Sequence, residues 1–188
     1  KYPNWNTSII VTGNEQTEYF KVIYVAMRKV FGIPLEKELI HIPTGFLTLT
    51  TGKMSSRKGN VLTGESILEE MQEASLKKAA SSRAENIEEL GEMVAVAALK
   101  YQILKHGIGT NIVFDKEKAL SFEGDSGPYI QYTQARIGSV ITKAAEVGVH
   151  PSIVHVPEVA YDVEKIVCRF EEVVKDAAQG GEPQKVVP

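Results

Sequence analysis

The order of apolar and polar positions predicts a strand followed by a helix near the start of the chain. The run TSIIVTG is short, apolar and rich in β-branched residues, and it ends at Gly13, as buried strands often do. The next segment predicts a helix that Asn14 caps and Gly32 ends. Its apolar residues recur at helical spacing, at Phe20, Ile23, Met27, Val30 and Phe31. A strand, a glycine turn and a helix form half of a βαβ unit.

The carboxyl end of this first strand is a candidate ligand site. In open α/β sheets, ligands bind beyond the carboxyl ends of the strands, beside the helix that follows. The residues at this position are Gly13, Asn14, Glu15 and Gln16. The alternative for Gln16 is an ordinary residue in the first turn of the helix.

Two further strands are predicted in the same sheet. They are ELIHI and FLTLT, separated by Pro43 and Gly45. His41 lies in the first of them between apolar neighbours. This setting is typical of a packed, hydrogen-bonded histidine, with a ligand contact as the alternative.

Beyond residue 63 the pattern is helical. The segments ESILEEMQEASLKKAA and IEELGEMVAVAALKYQILKHG both have helical periodicity, and the second begins at Asn86 or at the pair Ser82 and Glu85. Its predicted buried stripe is Leu90, Met93, Val94, Ala97 and Leu104.

Two more helices are expected towards the end of the chain. The first begins at Ser126 to Pro128, and the second runs from about Tyr161 to Ala178. The predicted buried stripe of the first is Ile130, Ile137, Val140, Ile141 and Ala144. Its other side carries a polar and aromatic cluster, namely Tyr129, Gln131, Tyr132, Gln134 and Arg136. Such a cluster suits stacking and phosphate contacts with RNA, or it holds two domains together.

Composition narrows the class of protein. Apolar residues make up 43% and charged residues 24% of the 188 residues, which is typical of a globular protein. No run of apolar residues is long enough for a membrane span, and we expect no signal peptide. The single cysteine, Cys168, excludes an internal disulfide and fits a reducing compartment. We expect it to be a small residue in the core. The net charge of −3 argues against bulk attraction to polyanions.

A basic loop carries the strongest chemical signal. The stretch GKMSSRKGN, residues 52–60, contains Lys53, Arg57 and Lys58, and no Asp or Glu occurs between Leu39 and Gly64. Flexible loops with Lys and Arg suit phosphoryl chemistry, because these cations stabilise the charge that develops on phosphate oxygens. The loop is not a P-loop, since the Walker pattern is absent. A solvated surface loop is the plain alternative.

Three stretches together resemble a known family. KMSSRKGNV resembles the second signature loop of the class I aminoacyl-tRNA synthetases. With SIIVTGNEQTEYFKVI before it and ALSFEGDSGPYIQYTQAR after it, the chain resembles an arginyl-tRNA synthetase. The resemblance implies an α/β part followed by an all-α part. Residues 1–62 would be the C-terminal part of a Rossmann-type catalytic domain, residues 63–120 a helical connecting region, and residues 121–188 the start of a helical anticodon-binding domain.

The resemblance also implies roles for individual residues. Nucleotide contacts are expected from the signature loop and from the strand and turn beside the adenine pocket, at Lys53, Met54, Ser55, Ser56, Gly59, His41 and Gly45. Gln16 matches a glutamine that helps to hold arginine. The second lysine of the family signature falls on Ser56, so we expect Lys58, supported by Arg57, to supply that charge beside Lys53. Tyr132, Gln134 and Arg136 are the expected tRNA contacts.

The implied activity is arginine–tRNA ligation. The substrates would be ATP with Mg²⁺, L-arginine and tRNA-Arg, with no tightly bound cofactor, no resident metal site and no membrane partner. We expect a cytoplasmic monomer. The first signature of the class is missing, so we expect the chain to be part of a longer protein and to form no adenylate alone. The alternatives are a class I lysyl-tRNA synthetase and a non-catalytic, synthetase-like RNA-binding protein.

Overall fold

The chain divides into two compact units. The computed structural model describes residues 4–50, 63–79, 86–152 and 158–187. One unit is Lys1–Lys53 with His106–Phe114, and the other is Met54–Lys105 with Asp115–Pro188. Several predicted residues lie outside the described ranges, namely Lys53, Met54, Ser55, Ser56, Arg57, Lys58, Gly59, Ser82 and Glu85.

The first unit contains the predicted strand–helix–strand arrangement, but its first strand is not buried as predicted, since Ile9 is 57% and Val11 is 59% exposed. Strand β1 is Thr7–Gly13, helix α1 is Thr17–Phe31, and strand β2 is Glu38–Thr44. The two strands pair in parallel, with Ile10 opposite His41 and Gly13 opposite Thr44. Helix α1 ends at Gly32, whose φ of 63° is a left-handed conformation that glycine adopts without steric cost. The predicted end of this helix is therefore confirmed.

The third predicted strand pairs differently from the prediction. Strand β3, Leu47–Leu49, pairs in parallel with β4, Ile112–Phe114, in a second two-stranded sheet. The prediction that it shares a sheet with β2 is therefore wrong for the described residues. Its hydrogen-bonding partner lies more than 60 residues further along the chain, in a run too short to be recognised as a strand from sequence.

Helices α2 and α3 form the core of the second unit. Helix α2 is Gly64–Ala79 and α3 is Ile87–Leu104, as the periodicity predicted. Asn86 caps α3, because its side chain accepts a hydrogen bond from the backbone N–H of Glu89 at 3.1 Å. The largest buried apolar side chains of the two helices are Met71, Ile67 and Val94.

The buried face of α3 differs from the predicted one. Met93 is 55% exposed and Leu104 is 39% exposed. Val94 is buried as predicted, and the other buried residues of the helix are Gly91, Ala95, Ala98 and Gln102. Small residues occupy this face because α2 approaches closely. A Cβ atom on Gly91 would lie 2.7 Å from a methyl carbon of Leu76.

The remaining elements follow a short helix, α4, Lys116–Ala119. Helix α5 is Gly127–Glu146, and Ser126 caps it by accepting a hydrogen bond from the N–H of Tyr129 at 3.2 Å. Helix α6 is Asp162–Gly180, followed by a 3₁₀ turn at Pro183–Lys185. Both long helices and the start of α5 were predicted correctly. None of the helices described in residues 4–50, 63–79, 86–152 and 158–187 is long and apolar enough to cross a membrane.

The predicted buried stripe of α5 is wrong. Four of its members are half or more exposed, namely Ile130, Ile137, Val140 and Ile141, and Ala144 is only partly covered. Helix α5 packs on α3 near its first turn, where Gly127 is close to the backbone of Ala97. The apolar residues further along α5 remain exposed. Cys168 on α6 is also exposed, so the prediction that it lies in a core is wrong.

Candidate functional site

The residues after β1 form a 3₁₀ turn instead of the first turn of α1. Asn14–Gln16 make up this turn, and Gln16 then occupies the N-cap position of α1. The prediction that Asn14 caps the helix is therefore wrong, because the turn moves the N-cap position two residues further along, to Gln16. The hydroxyl of Thr17 donates to the carbonyl of Asn14 at 2.8 Å and closes the turn.

Gln16 is an exposed side chain at the carboxyl end of β1. Its amide makes no hydrogen bond with the residues of the ranges described above. Glu15 beside it is also exposed. The turn therefore exposes the side-chain amide of Gln16 beyond the carboxyl end of β1, at the position where α/β sheets bind ligands.

His41 is held by two neighbours. Its Nε2 atom lies 2.8 Å from Oγ1 of Thr12, at hydrogen-bond distance. Its ring stacks on that of Phe20, with centroids 4.5 Å apart and planes inclined by 16°. The prediction of a packed, hydrogen-bonded histidine is confirmed, whereas its place beside a nucleotide stays a prediction.

Helix α1 has a further attachment to β2. The hydroxyl of Tyr24 donates to the carbonyl of Ile40 at 2.9 Å. Burial raises the pKa of Tyr24, which favours the protonated phenol that donates this hydrogen bond. The helix that follows the candidate site is thus tied to the strand that carries His41.

Gly45 lies in the turn after β2, where a side chain has no room. A Cβ atom at this position would lie 1.9 Å from the carbonyl oxygen of Thr110. The next residue is fixed as well, because the N–H of Phe46 donates to Oδ1 of Asn111 at 2.9 Å. The turn therefore packs directly on backbone from a distant part of the sequence.

We call this distant part, Gly107–Asn111, the crossing segment. It contacts the carboxyl ends of both parallel strands. Asn14 donates through Nδ2 to the carbonyl of Gly109 at 3.2 Å, and the N–H of Gly109 donates to the carbonyl of Pro43 at 3.0 Å. Sequence reasoning missed this segment. Its only signal was a pair of glycines between a helix and a short apolar run, and Gly109 indeed has a left-handed φ of 74°.

The aromatic and polar cluster on α5 divides into two parts. Gln131 faces α3 and donates to the carbonyl of Met93 at 3.4 Å. Tyr132, Gln134 and Arg136 are exposed. Arg136 donates to the hydroxyl of Tyr132 at 2.7 Å, and its guanidinium carbon lies 5.5 Å from the centre of that ring. The cluster therefore combines a helix contact with an exposed cation–aromatic pair.

The part of the chain that the structure describes contains no candidate metal-binding cluster. Among those residues there is no group of three or more His, Cys, Asp or Glu side chains that could hold a metal ion.

Comparison with known proteins identifies the family. The family described as "tRNA synthetases class I (R), catalytic domain" matches residues 3–116. The arginine–tRNA ligase of Borrelia hermsii (strain HS1 / DAH) is 33% identical over 190 residues, covering 97% of this chain and 32% of that protein. The arginine–tRNA ligase of Bacteroides thetaiotaomicron is 36% identical over 186 residues, covering 93% and 31%.

Solved structures agree. The arginyl-tRNA synthetase of Thermus thermophilus superposes with a TM-score of 0.75 at 26% identity, covering 96% of this chain and 30% of that one. The predicted fold class, an α/β part of a class I synthetase followed by helices, is thereby confirmed. The chain spans about one third of the length of the curated relatives it matches. It belongs to the class I arginyl-tRNA synthetase family.

Proposed function

We propose that this chain is part of an arginine–tRNA ligase, which activates arginine with ATP and transfers it to tRNA-Arg. The observation that carries the proposal is the family match over residues 3–116, together with relatives of that name at 33% and 36% identity over nearly the whole chain. By the same resemblance, the full-length protein acts as a monomer in the cytoplasm.

Arginine and ATP would bind at the carboxyl ends of β1 and β2. Gln16 supports this proposal because its exposed amide has no partner among the described residues and can bond arginine. Gly45 would take part through its backbone alone, because the space that a side chain would fill is occupied by the carbonyl of Thr110. His41 would border the same pocket from β2, with its ring held by Phe20 and Thr12.

The basic loop would act on the phosphates. The arginine carboxylate attacks the α-phosphorus of ATP, the bond to the bridging oxygen breaks, and pyrophosphate leaves. Lys53, Lys58 and Arg57 would stabilise the charge on the triphosphate more strongly in the transition state than in the ground state. ATP enters as its Mg²⁺ complex, so the metal is part of the substrate. Met54, Ser55, Ser56 and Gly59 would contribute hydrogen-bonding groups to the nucleotide site.

In the second step, a ribose hydroxyl of the terminal adenosine of the tRNA attacks the carbonyl carbon of the adenylate, and AMP leaves. Residues 121–188 would bind tRNA, with Tyr132, Gln134 and Arg136 as contacts. Their exposure on α5 supports this role, because an aromatic face and a guanidinium can stack on unpaired bases and contact phosphate. Residues 1–62 and 63–120 would be the catalytic part and its helical connection.

Aminoacylation by the full-length protein that carries this chain tests the proposal. The protein is given total tRNA, ATP with Mg²⁺, and arginine, lysine or glutamate in separate reactions. Charging with arginine alone is the expected result. Charging with lysine would identify a class I lysyl enzyme, and tRNA binding without any charging would identify a non-catalytic RNA-binding relative. Either result would overturn the proposal.

The isolated chain provides a second test. We expect these 188 residues to form no aminoacyl-adenylate, because the arginine and nucleotide contacts proposed here are only part of those that the reaction needs. Adenylate formation by the isolated chain would contradict this expectation.

A further inference from the structure

We propose that Asn14 and Asn111 are positioning residues through which the crossing segment fixes the arginine-binding and nucleotide-binding turns. This inference rests on the function proposed above. Neither residue is assigned a role by the family resemblance. Asn14 would set the place of Gln16, and Asn111 would set the place of Gly45.

Asn14 and Gln16 lie in the same three-residue 3₁₀ turn. The backbone of this turn follows β1 directly, and a side-chain hydrogen bond from Asn14 Nδ2 to the Gly109 carbonyl joins it to the crossing segment. A carbonyl oxygen only accepts hydrogen bonds, so the amide nitrogen of Asn14 must be the donor. Without that donor, the turn that presents Gln16 loses its attachment.

Asn111 uses the opposite end of its amide. Its Oδ1 atom accepts from the backbone N–H of Phe46, the residue after Gly45. Gly45 itself packs on the carbonyl of Thr110 without room for a methyl group. Losing the acceptor therefore leaves the N–H of Phe46 without its partner and loosens the turn at its point of closest packing.

The backbone attachments of the crossing segment do not depend on either side chain. The N–H of Gly109 donates to Pro43, and the N–H of Ile112 donates to the carbonyl of Phe46 at 2.8 Å. Changing either asparagine should therefore leave the pairing of β3 with β4 in place. The asparagine variants should therefore affect the position of the two turns without unfolding the unit.

Four variants of the full-length protein use the opposite roles of the two amides, namely Asn14→Ala, Asn14→Asp, Asn111→Ala and Asn111→Asp. Aspartate has no N–H donor but keeps an acceptor oxygen. We expect Asn14→Ala and Asn14→Asp both to raise KM for arginine by about tenfold, with the affinity for ATP unchanged. We expect Asn111→Ala to weaken ATP binding by about tenfold in titration calorimetry, and Asn111→Asp to restore it.

Asn86→Ala is the matched control. It makes the same substitution and removes the hydrogen bonds between the Asn86 amide and Glu89, at the cap of α3 in the other unit. Loss of the cap destabilises the helix, so this variant should have a lower melting temperature while KM for arginine and the affinity for ATP stay at the wild-type values.

The outcomes separate this inference from the proposed function. If the wild-type protein charges another amino acid, the proposed function fails, but KM for that amino acid still tests Asn14. If it charges none, ATP binding still tests Asn111. Unchanged KM in Asn14→Ala together with unchanged ATP affinity in Asn111→Ala would overturn the inference. Equal effects of alanine and aspartate at residue 111 would also overturn it.

Discussion

The imidazole ring of His41 stacks on the phenyl ring of Phe20, with centroids 4.5 Å apart and planes inclined by 16°. Because Nε2 of the same ring lies 2.8 Å from Oγ1 of Thr12, one side chain on β2 contacts both β1 and α1. The histidine thus joins the three elements that carry the candidate site.

We expect His41→Ala to lower the free energy of unfolding by about 1–3 kcal/mol, since it removes an aromatic stack and a hydrogen bond. A double-mutant cycle with Phe20→Ala in the full-length protein, followed by urea denaturation, measures the stack itself. The expected coupling is about 0.5–1.5 kcal/mol. Val22→Ala is the control on α1, because Val22 is 69% exposed and its loss should change stability by less than about 0.5 kcal/mol. Absence of coupling would show that the two rings do not support one another.

Gly45→Ala tests the close packing of the turn after β2. The new methyl group would meet the carbonyl oxygen of Thr110, which is backbone and cannot rotate away. We expect the free energy of unfolding, measured by urea denaturation, to fall by about 2 kcal/mol or more. Gly138→Ala is the control, because nothing lies within 4 Å of its added Cβ on α5 and helix propensity favours alanine by about 0.5–1 kcal/mol. Equal stability of the two variants would contradict the observed packing.

Tyr101 should make stability depend on pH in the alkaline range. Burial, the hydrogen bond to Asp125 and the negative charge of that carboxylate raise the pKa of Tyr101 to about 12. The folded protein therefore holds the phenol proton more tightly than the unfolded chain, in which the pKa is about 10. The stabilisation of the folded state by the protonated Tyr101 phenol is fully present below about pH 10. It is lost as the pH rises from about 10 to about 12.

We expect Tyr101→Phe to flatten the fall of the urea midpoint over that window. In absorbance titrations of the tyrosinate, Asp125→Asn should move the Tyr101 step to lower pH, because the carboxylate that disfavours the phenolate is gone. An unchanged step in Asp125→Asn would exclude Asp125 as a cause.

Lys53→Ala tests the proposed role of the basic loop. We expect the rate of arginine activation to fall by a factor on the order of 10²–10³, because a cation that stabilises the transition state is removed. Lys58→Ala should lower the rate of arginine activation more than Arg57→Ala does if Lys58 supplies the charge of the second signature lysine. Lys77→Ala, on the exposed side of α2, is the matched control and should leave the rate unchanged. A loss of less than tenfold in Lys53→Ala would contradict the role.

Local signals explain which elements the sequence predicted correctly. Strand β1, the five long helices and the caps at Asn86 and Ser126 each have their own periodicity or capping residue. The hydrogen bond of His41 was also predictable, because a polar ring among apolar strand residues needs a partner when it is covered.

Non-local packing explains the failures. Strand β4 has three residues, and its parallel pairing with β3 depends on a long connection that no local pattern encodes. On α3, the largest apolar residues suggested the buried face, whereas α2 packs closest where the side chains are smallest, as at Gly91. On α5, periodicity identified the apolar face correctly but could not show whether another element covers it. The crossing segment was missed for the same reason as β4, since Asn111 and Phe46 are 65 residues apart.

The most direct test of the central claim is ATP–pyrophosphate exchange by the full-length protein, measured with arginine in the presence and absence of tRNA. This reaction isolates the activation step, in which Gln16 and the basic loop are proposed to act. We predict incorporation of labelled pyrophosphate into ATP only when arginine and tRNA are both present. Exchange that depends on lysine instead of arginine, or no exchange with arginine while tRNA is bound, would contradict the claim that this chain is part of an arginine–tRNA ligase.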